Sequence, residues 1–315
     1  MSSSRKTKKL SQSMLLELKA VGYEVDDPSY FVERAKPYKD ALPILLKYIP
    51  LVEETFEKDV LIRASSVKGN YQAVPVLLDE YKKSSNESLM WTIGNALWLI
   101  GDQTIVGQLI ELLESNIKVD QLPDNMPEGL QSPEKAAKET LLWALGKTRD
   151  PKAIPVLKKY LQVEGLEGHA LEGLKYFKDP DLIPFVTPLL THQKSWVRKN
   201  AERFIKSLKR QINMHELCKK LNVACQMPSD ETLVAVSEGV FEGDLVQGVR
   251  YKMEAHMSGW IITSDRYNGD VSTLRTEHMK HIFEHRPDLV KYLCLPIGWR
   301  FDTSRDDFWF DQEII

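Results

Sequence analysis

DPKAIPVLKKYLQVEGLEGHALEGLKYFKDPDLIPFVTPLLTHQKSWVRKNA, residues 150–201, carries one pattern twice. A proline sits early in an apolar helical stretch, at Pro155 and again at Pro184, and a small residue sits in the stretch that follows, at Gly173 and Ala201. Extended outward, the same two columns appear at Pro43, Pro75 and Gly107, and at Ala64, Ala96 and Ala144. From each small residue to the next proline slot is 11 residues four times over, 64 to 75, 96 to 107, 144 to 155 and 173 to 184. Within a repeat the separation varies from 17 to 37 residues, as expected if the loop between paired helices takes the insertions while the packed junction does not. The period is that of a helical solenoid.

The columns have physical reasons. Proline is tolerated in the first turn of a helix, where its missing N–H would be unpaired anyway, so each proline slot marks a helix start. Asp150 and Asp179, each just before a Pro, fit as caps. A small residue in the second helix lets two backbones approach closely. An amphipathic helix from Gln12 to Ala20 precedes the repeats, ended by Gly22 and the stretch Asp26 to Pro28, and is expected to cap the array. Between Glu114 and Ala136, Pro123, Pro127, Gly129 and Pro133 break any helix, so residues 115–135 read as an inserted loop. Such a loop is either a tolerated surface excursion or a contact for a partner.

Composition bounds the rest. The 315 residues suffice for an array plus a smaller domain, and 43% apolar with 28% charged residues is an ordinary soluble balance. A net charge of -3 gives no electrostatic grip on nucleic acid or anionic lipid. Only the start is locally basic, with Arg5, Lys6, Lys8 and Lys9, and residues 1–11 are expected to be a disordered tail. Cys218, Cys225 and Cys294 make an odd count without zinc-type spacing, so they read as reduced thiols. No uncharged run is long enough to span a bilayer and no leader is evident, so a cytoplasmic protein is expected.

The stretch Gly168, His169, Ala170, Leu171, Glu172, Gly173, Leu174, followed by Trp196, Val197, Arg198, Lys199, Asn200, Ala201, resembles HEAT-type repeats of bacterial proteins. Val197, Arg198 and Ala201 match that family's valine-arginine-x-x-alanine core. The resemblance implies paired antiparallel helices stacked into a curved surface, most often used to bind macromolecules. Trp91, Trp98, Trp143 and Trp196 fall on second helices; Trp91 and Trp196 lie five residues before their small residue, where Asp59 and Glu139 stand in other repeats. Trp91 and Trp196 are therefore candidate anchors for a partner, the other reading being packing between repeats.

Past Arg210 the columns stop. Alternating apolar residues at Leu233 to Val236, Val249 to Met253, Trp260 to Thr263 and Trp299 to Phe301 predict strands, punctuated by glycines. A helix is expected over Ser272 to Glu284. The fold class is thus α+β overall: a disordered tail at 1–11, an all-α HEAT-like array over 12–212, and a small α+β domain over 213–315. The residues Val236, Ser237, Glu238 and Gly239, then Ser258, Gly259 and Trp260, then Leu295, Pro296, Ile297, Gly298, Trp299, Arg300 and Phe301 resemble a domain recurrent among immunity proteins of bacterial polymorphic-toxin systems. What that resemblance implies is a protein partner, a cognate toxin domain held and blocked. From 213 to 315 there are 17 acids against 11 Lys or Arg, and the end gathers acids around aromatics. Asp306, Asp307, Trp309 and Asp311 are the candidate contacts, suited to a basic partner; alternatively they are the solvated edge of a last strand.

His278, His281 and His285, at i, i+3 and i+7 of the expected helix, are candidate metal ligands with His256 or Glu277. Helical histidines are ordinary surface residues and the spacing is no established motif, so neither metal nor cofactor is assigned. No nucleophile motif or phosphate loop appears, and the reading is a binding protein without catalytic residues. Two alternatives stay open: an interaction scaffold with another partner, and a HEAT-fold nucleic-acid enzyme, against which the missing basic surplus counts.

Overall fold

The structure, a computed structural model, describes residues 2–32, 38–120 and 132–315. The chain divides into two compact units, Met1–Phe204 and Ile205–Ile315. The first contains α1 (Ser2–Ala20), α2 (Leu42–Tyr48), α3 (Thr55–Ser65), α4 (Ala73–Lys83), α5 (Glu87–Ile100), α6 (Val106–Glu114), α7 (Pro133–Lys147), α8 (Ala153–Tyr160), α9 (Glu167–Leu174) and α10 (Ile183–Val186), and α11 (Ser195–Leu221) begins in it.

Every residue of the proline column lies in the first turn of its helix: Pro43 in α2, Pro75 in α4, Gly107 in α6, Pro155 in α8 and Pro184 in α10. The small column falls on α3, α5, α7, α9 and α11, and all five residues are buried. First and second helices pack in pairs from α2 with α3 to α8 with α9, and α3, α5, α7 and α9 pack in succession. Close approach is enforced where no side chain intervenes: a Cβ on Gly94 would overlap Thr140, and one on Gly146 would overlap the backbone of Gly173. Helix ends follow local chemistry. Asn86 accepts from Leu89 N–H at 2.9 Å to open α5, and Gly101 closes it at a left-handed φ of 72°. Asp150 and Asp179 act on the turns before their helices, accepting from Lys152 N–H at 2.8 Å and Asp181 N–H at 2.9 Å.

One expectation is overturned at the start of the chain. The segment read as a disordered tail over residues 1–11 is helical from Ser2, continuous with the helix expected from Gln12. No glycine or proline interrupts Ser2 to Ala20, and Arg, Lys, Leu and Gln are good helix formers; charge alone does not unwind such a segment. Of the inserted loop, 121–131, with Pro123, Pro127 and Gly129, lies outside the described residues, while Pro133 opens α7.

The second unit begins within α11, whose Met214 and Cys218 belong to its core. Six strands, β1 (Leu233–Val236), β2 (Val246–Arg250), β3 (Met257–Ser264), β4 (Arg275–His278), β5 (Trp299–Asp302) and β6 (Asp307–Phe310), form one mixed sheet in the order β4-β1-β3-β2-β5-β6. Only the β1–β3 pair is parallel among these ladders. Alternate residues Val234, Val236, Trp260, Ile262 and Phe301 pack with α11, with α12 (Met279–His285) and with the segment 289–295. Trp260, fully buried, donates its indole N–H to Leu293 O at 2.9 Å.

The helix expected over Ser272 to Glu284 is a second correction. Residues 275–278 are an edge strand paired with β1; Val271–Thr273 form a single 3-10 turn, and the α-helix is confined to Met279–His285. His278 is the residue before the helix and so does not share a helical face with His281 and His285.

Candidate protein-binding surfaces

Strand alternation gives the sheet a second face, away from the core. Ladder pairs place Thr276, Ala235, Ile261, Val249, Arg300 and Trp309 in one row across all six strands. Around that row Gln247, Tyr251, Thr263 and Tyr267 line a shallow hollow with Trp309 at its border. Val249, Ile261 and Arg300 are half-buried, and Trp309 is 41% exposed. A row of half-buried and exposed apolar, aromatic and guanidinium groups, bordered by Tyr267, Val271 and Leu274, is suited to a protein partner.

β6 sorts the candidate residues of the chain's end. Asp307 and Trp309 alternate onto the open face, while Phe308 turns inward, 6.1 Å from the Tyr292 ring between centroids. Asp311 accepts from Arg300 Nε at 2.7 Å, which holds the guanidinium in the row. Asp307 is exposed and accepts from Phe308 N–H at 2.8 Å. Asp306 is held differently: at a left-handed φ of 49° it bonds Lys291 and the Tyr292 hydroxyl. Those two bonds, Lys291 first, hold its carboxyl below the usual carboxylate range. The structure thus sets Trp309 and Asp311 beside Arg300, leaves Asp307 opposite Asp302 on the same face, and spends Asp306 on an internal link.

In the first unit two of the slots five residues before a small residue, Trp91 and Glu139, are joined directly, and His169 continues the line towards Trp196. Trp91 Nε1 donates to Glu139 at 3.0 Å, and the other Glu139 oxygen stands 3.3 Å from His169 Nε2. Rings continue the line: Trp143 lies 6.2 Å from Trp91, 6.0 Å from Trp98 and 5.6 Å from His169, and His169 lies 5.5 Å from Trp196. Trp98 donates to the Tyr176 hydroxyl at 2.8 Å. Burial, with repulsion from Glu139, pushes the Glu87 carboxyl up. Trp91 is consequently a packed, hydrogen-bonded member of the array, whereas Trp196 keeps 40% of its surface exposed against the bare Gly168.

Two groups of potential metal donors occur among the described residues. His281, Glu284 and His285 form one on the surface of α12. His278 stays outside it, bonding Glu231 O at 3.2 Å. The other is Cys218, Cys225 and Cys294, which sequence spacing had discounted. The only signal that could have found it is the burial of two cysteines on elements that pack together, and that is not written in their separation along the chain.

Residues 213–311 match the family model of the Imm33-like domain, and residues 137–162 match that of the PBS lyase HEAT-like repeat. No curated protein matches the chain. The first match covers the whole sheet and α12; the second spans most of α7 and all of α8. Both resemblances read from the sequence are therefore met: HEAT-like repeats, then an immunity-like domain. Both are non-catalytic families, and the Imm33-like match indicates an immunity-type role in protein binding. Among the described residues no helix is long and apolar enough to cross a membrane.

Proposed function

We propose that this protein is a cytoplasmic bacterial immunity protein that binds a cognate toxin domain and neutralises it by covering its active surface. The observation that carries this reading is the Imm33-like match over 213–311. The open sheet face gives it a physical basis. Trp309 supplies a rigid aromatic anchor, Arg300 and Asp311 a fixed polar pair, and Asp307 an exposed acid for a basic partner. The HEAT-like array, with Trp196 exposed, supplies a second surface for the same partner.

Co-expression with a candidate toxin domain from a neighbouring reading frame tests the proposal. The expected result is a stable complex and rescue of growth, with both reduced by substitution on the open face. A chain that neither binds nor protects, or that copurifies with an unrelated complex from its own cell, would sink the toxin reading. Salt-dependent DNA binding at physiological ionic strength would instead favour a nucleic-acid enzyme.

A further inference from the structure

The three cysteines of the second unit converge. Cys218, near the end of α11, and Cys294 are buried, and Cys225 is half-buried. Their sulfur atoms all lie within 4.8 Å of one another, those of Cys218 and Cys294 only 3.2 Å apart. The backbone is bent to bring them there. Asn222 takes a left-handed φ of 54° just past α11, and Val223 N–H then bonds Cys218 O at 3.0 Å. Gln226 N–H bonds Cys294 O at 2.8 Å, which fixes Cys225 beside Cys294.

A cation faces this cluster. Arg250, from the core side of β2, is 7% exposed and donates to Gln226 O at 2.7 Å, Leu295 O at 2.6 Å and Ser258 O at 3.1 Å. It thereby ties together the residues that follow Cys225 and Cys294. All three acceptors are neutral carbonyls, and a buried guanidinium without a counter-charge is costly.

We propose that Cys218, Cys225 and Cys294 form a three-thiolate site for a thiophilic d10 cation of the Zn2+ class, with Arg250 as its buried counter-charge. An all-sulfur donor set selects soft ions over Mg2+ or Ca2+. The exchange is M2+ plus three RSH giving [M(SR)3]− plus three H+, which leave to solvent. The resulting single negative charge beside one guanidinium makes the site neutral, whereas a monovalent ion would leave a buried excess of one. Zn–S bonds of about 2.3 Å in a tetrahedral arrangement space the sulfurs about 3.8 Å apart, within the span the thiols already occupy. Half-exposed Cys225 supplies the entry path and the solvent side on which a water completes the coordination.

The test is titration of the reduced full-length chain with Zn2+ against a chromophoric chelator, and with Cd2+, whose thiolate charge-transfer absorption counts bound sulfurs. One ion per chain, three thiolates per ion, a raised melting temperature and protection of all three cysteines from alkylation are expected. Cys225→Ser should weaken binding about 100-fold or more, while His281→Ala leaves it unchanged. The proposal is overturned by absence of binding at micromolar ion, by binding that survives Cys225→Ser or is lost in His281→Ala, or by binding of Cu(I) alone. A Cys218–Cys294 disulfide formed in place of the bound ion overturns it equally. Should Cys225→Ser not fold, the alkylation pattern of the unsubstituted chain decides, since unprotected thiols in the presence of Zn2+ reject the site.

Discussion

Gly146 on α7 lies so close to Gly173 on α9 that a methyl group on Gly146 would overlap the Gly173 carbonyl oxygen and Cα. The overlap is with backbone, which has no rotamer to move into. Gly146→Ala is therefore expected to cost about 1–3 kcal/mol through overpacking. Gly107 makes the contrast, because nothing lies within 4 Å of its Cβ position and it sits in the first turn of α6. Gly107→Ala should stabilise by about 0.4–1 kcal/mol through the unfolded state. Urea unfolding of the two variants, followed by tryptophan fluorescence, reads both signs; equal effects would reject the close-packed junction.

That junction also shows what was legible in the sequence. The proline and small-residue columns each answer a local demand, a first turn without an N–H and a helix crossing without a side chain, so they survive in one dimension. Much of the second unit does not. β4 is Arg275, Thr276, Glu277, His278, an edge strand with no buried apolar member, so its period of two carries no hydrophobic signal. The helix expected over Ser272 to Glu284 therefore begins only at Met279, where the buried apolar set Met279, Ile282 and Phe283 starts. The cysteine cluster was invisible for another reason: Cys294 reaches Cys218 through the fold, not through spacing. At the chain's end a last strand was among the readings, but Phe308, Trp309 and Phe310 do not alternate in polarity, so which of them faces outward, and the pairing of Asp311 with Arg300, needed the register of β5 on β6.

Lys58 on α3 and Glu80 on α4 make an ion pair with only 15% and 5% of their side chains exposed. Removing one member leaves the other charge buried. Lys58→Ala should therefore destabilise by about 3–5 kcal/mol, while the apolar double replacement Lys58→Met with Glu80→Leu recovers most of that loss. Chemical denaturation of the single and double variants measures it. A single variant within experimental error of the parent would mean that water reaches Glu80.

The acid limb of stability has identifiable contributors in the second unit. At Asp288 burial acts to raise the pKa, but two bonds from Arg286, at 3.1 and 2.8 Å, win and hold it below the ordinary value. A folded-state pKa below the unfolded one stabilises above the unfolded value, about 3.9 for Asp, and the contribution fades as pH falls through the folded value. Asp302 and Asp306, lowered chiefly by Ser304 and Lys291 bonds respectively, act in the same direction. Melting temperature should thus drop as pH falls below about 4, and Asp288→Asn should melt lower at pH 7 but with a shallower fall in that window. An unchanged slope in the variant would assign the acid limb elsewhere.

The open face yields the prediction that separates binding from folding. Trp309 is exposed, and the Asp311 side chain bonds Arg300 and its own turn while its N–H bonds Gly298 O at 2.8 Å, a backbone link that substitution keeps. Asp306, by contrast, joins the β5–β6 turn to Lys291 and Tyr292. With the cognate toxin domain as titrant, Trp309→Ala should cost about 2 kcal/mol of binding, some 30-fold in Kd, as central aromatic anchors do. Its melting temperature should stay close to that of the parent. Asp311→Lys should slow association, most visibly at low salt. Asp306→Asn should do the reverse of Trp309→Ala, lowering the melting temperature of the second unit while leaving Kd near the parent value. Calorimetric titration and thermal unfolding on the same three variants decide the matter: if Asp306→Asn abolishes binding and Trp309→Ala does not, the partner docks on the core side of the β6 edge and the open face is not the contact.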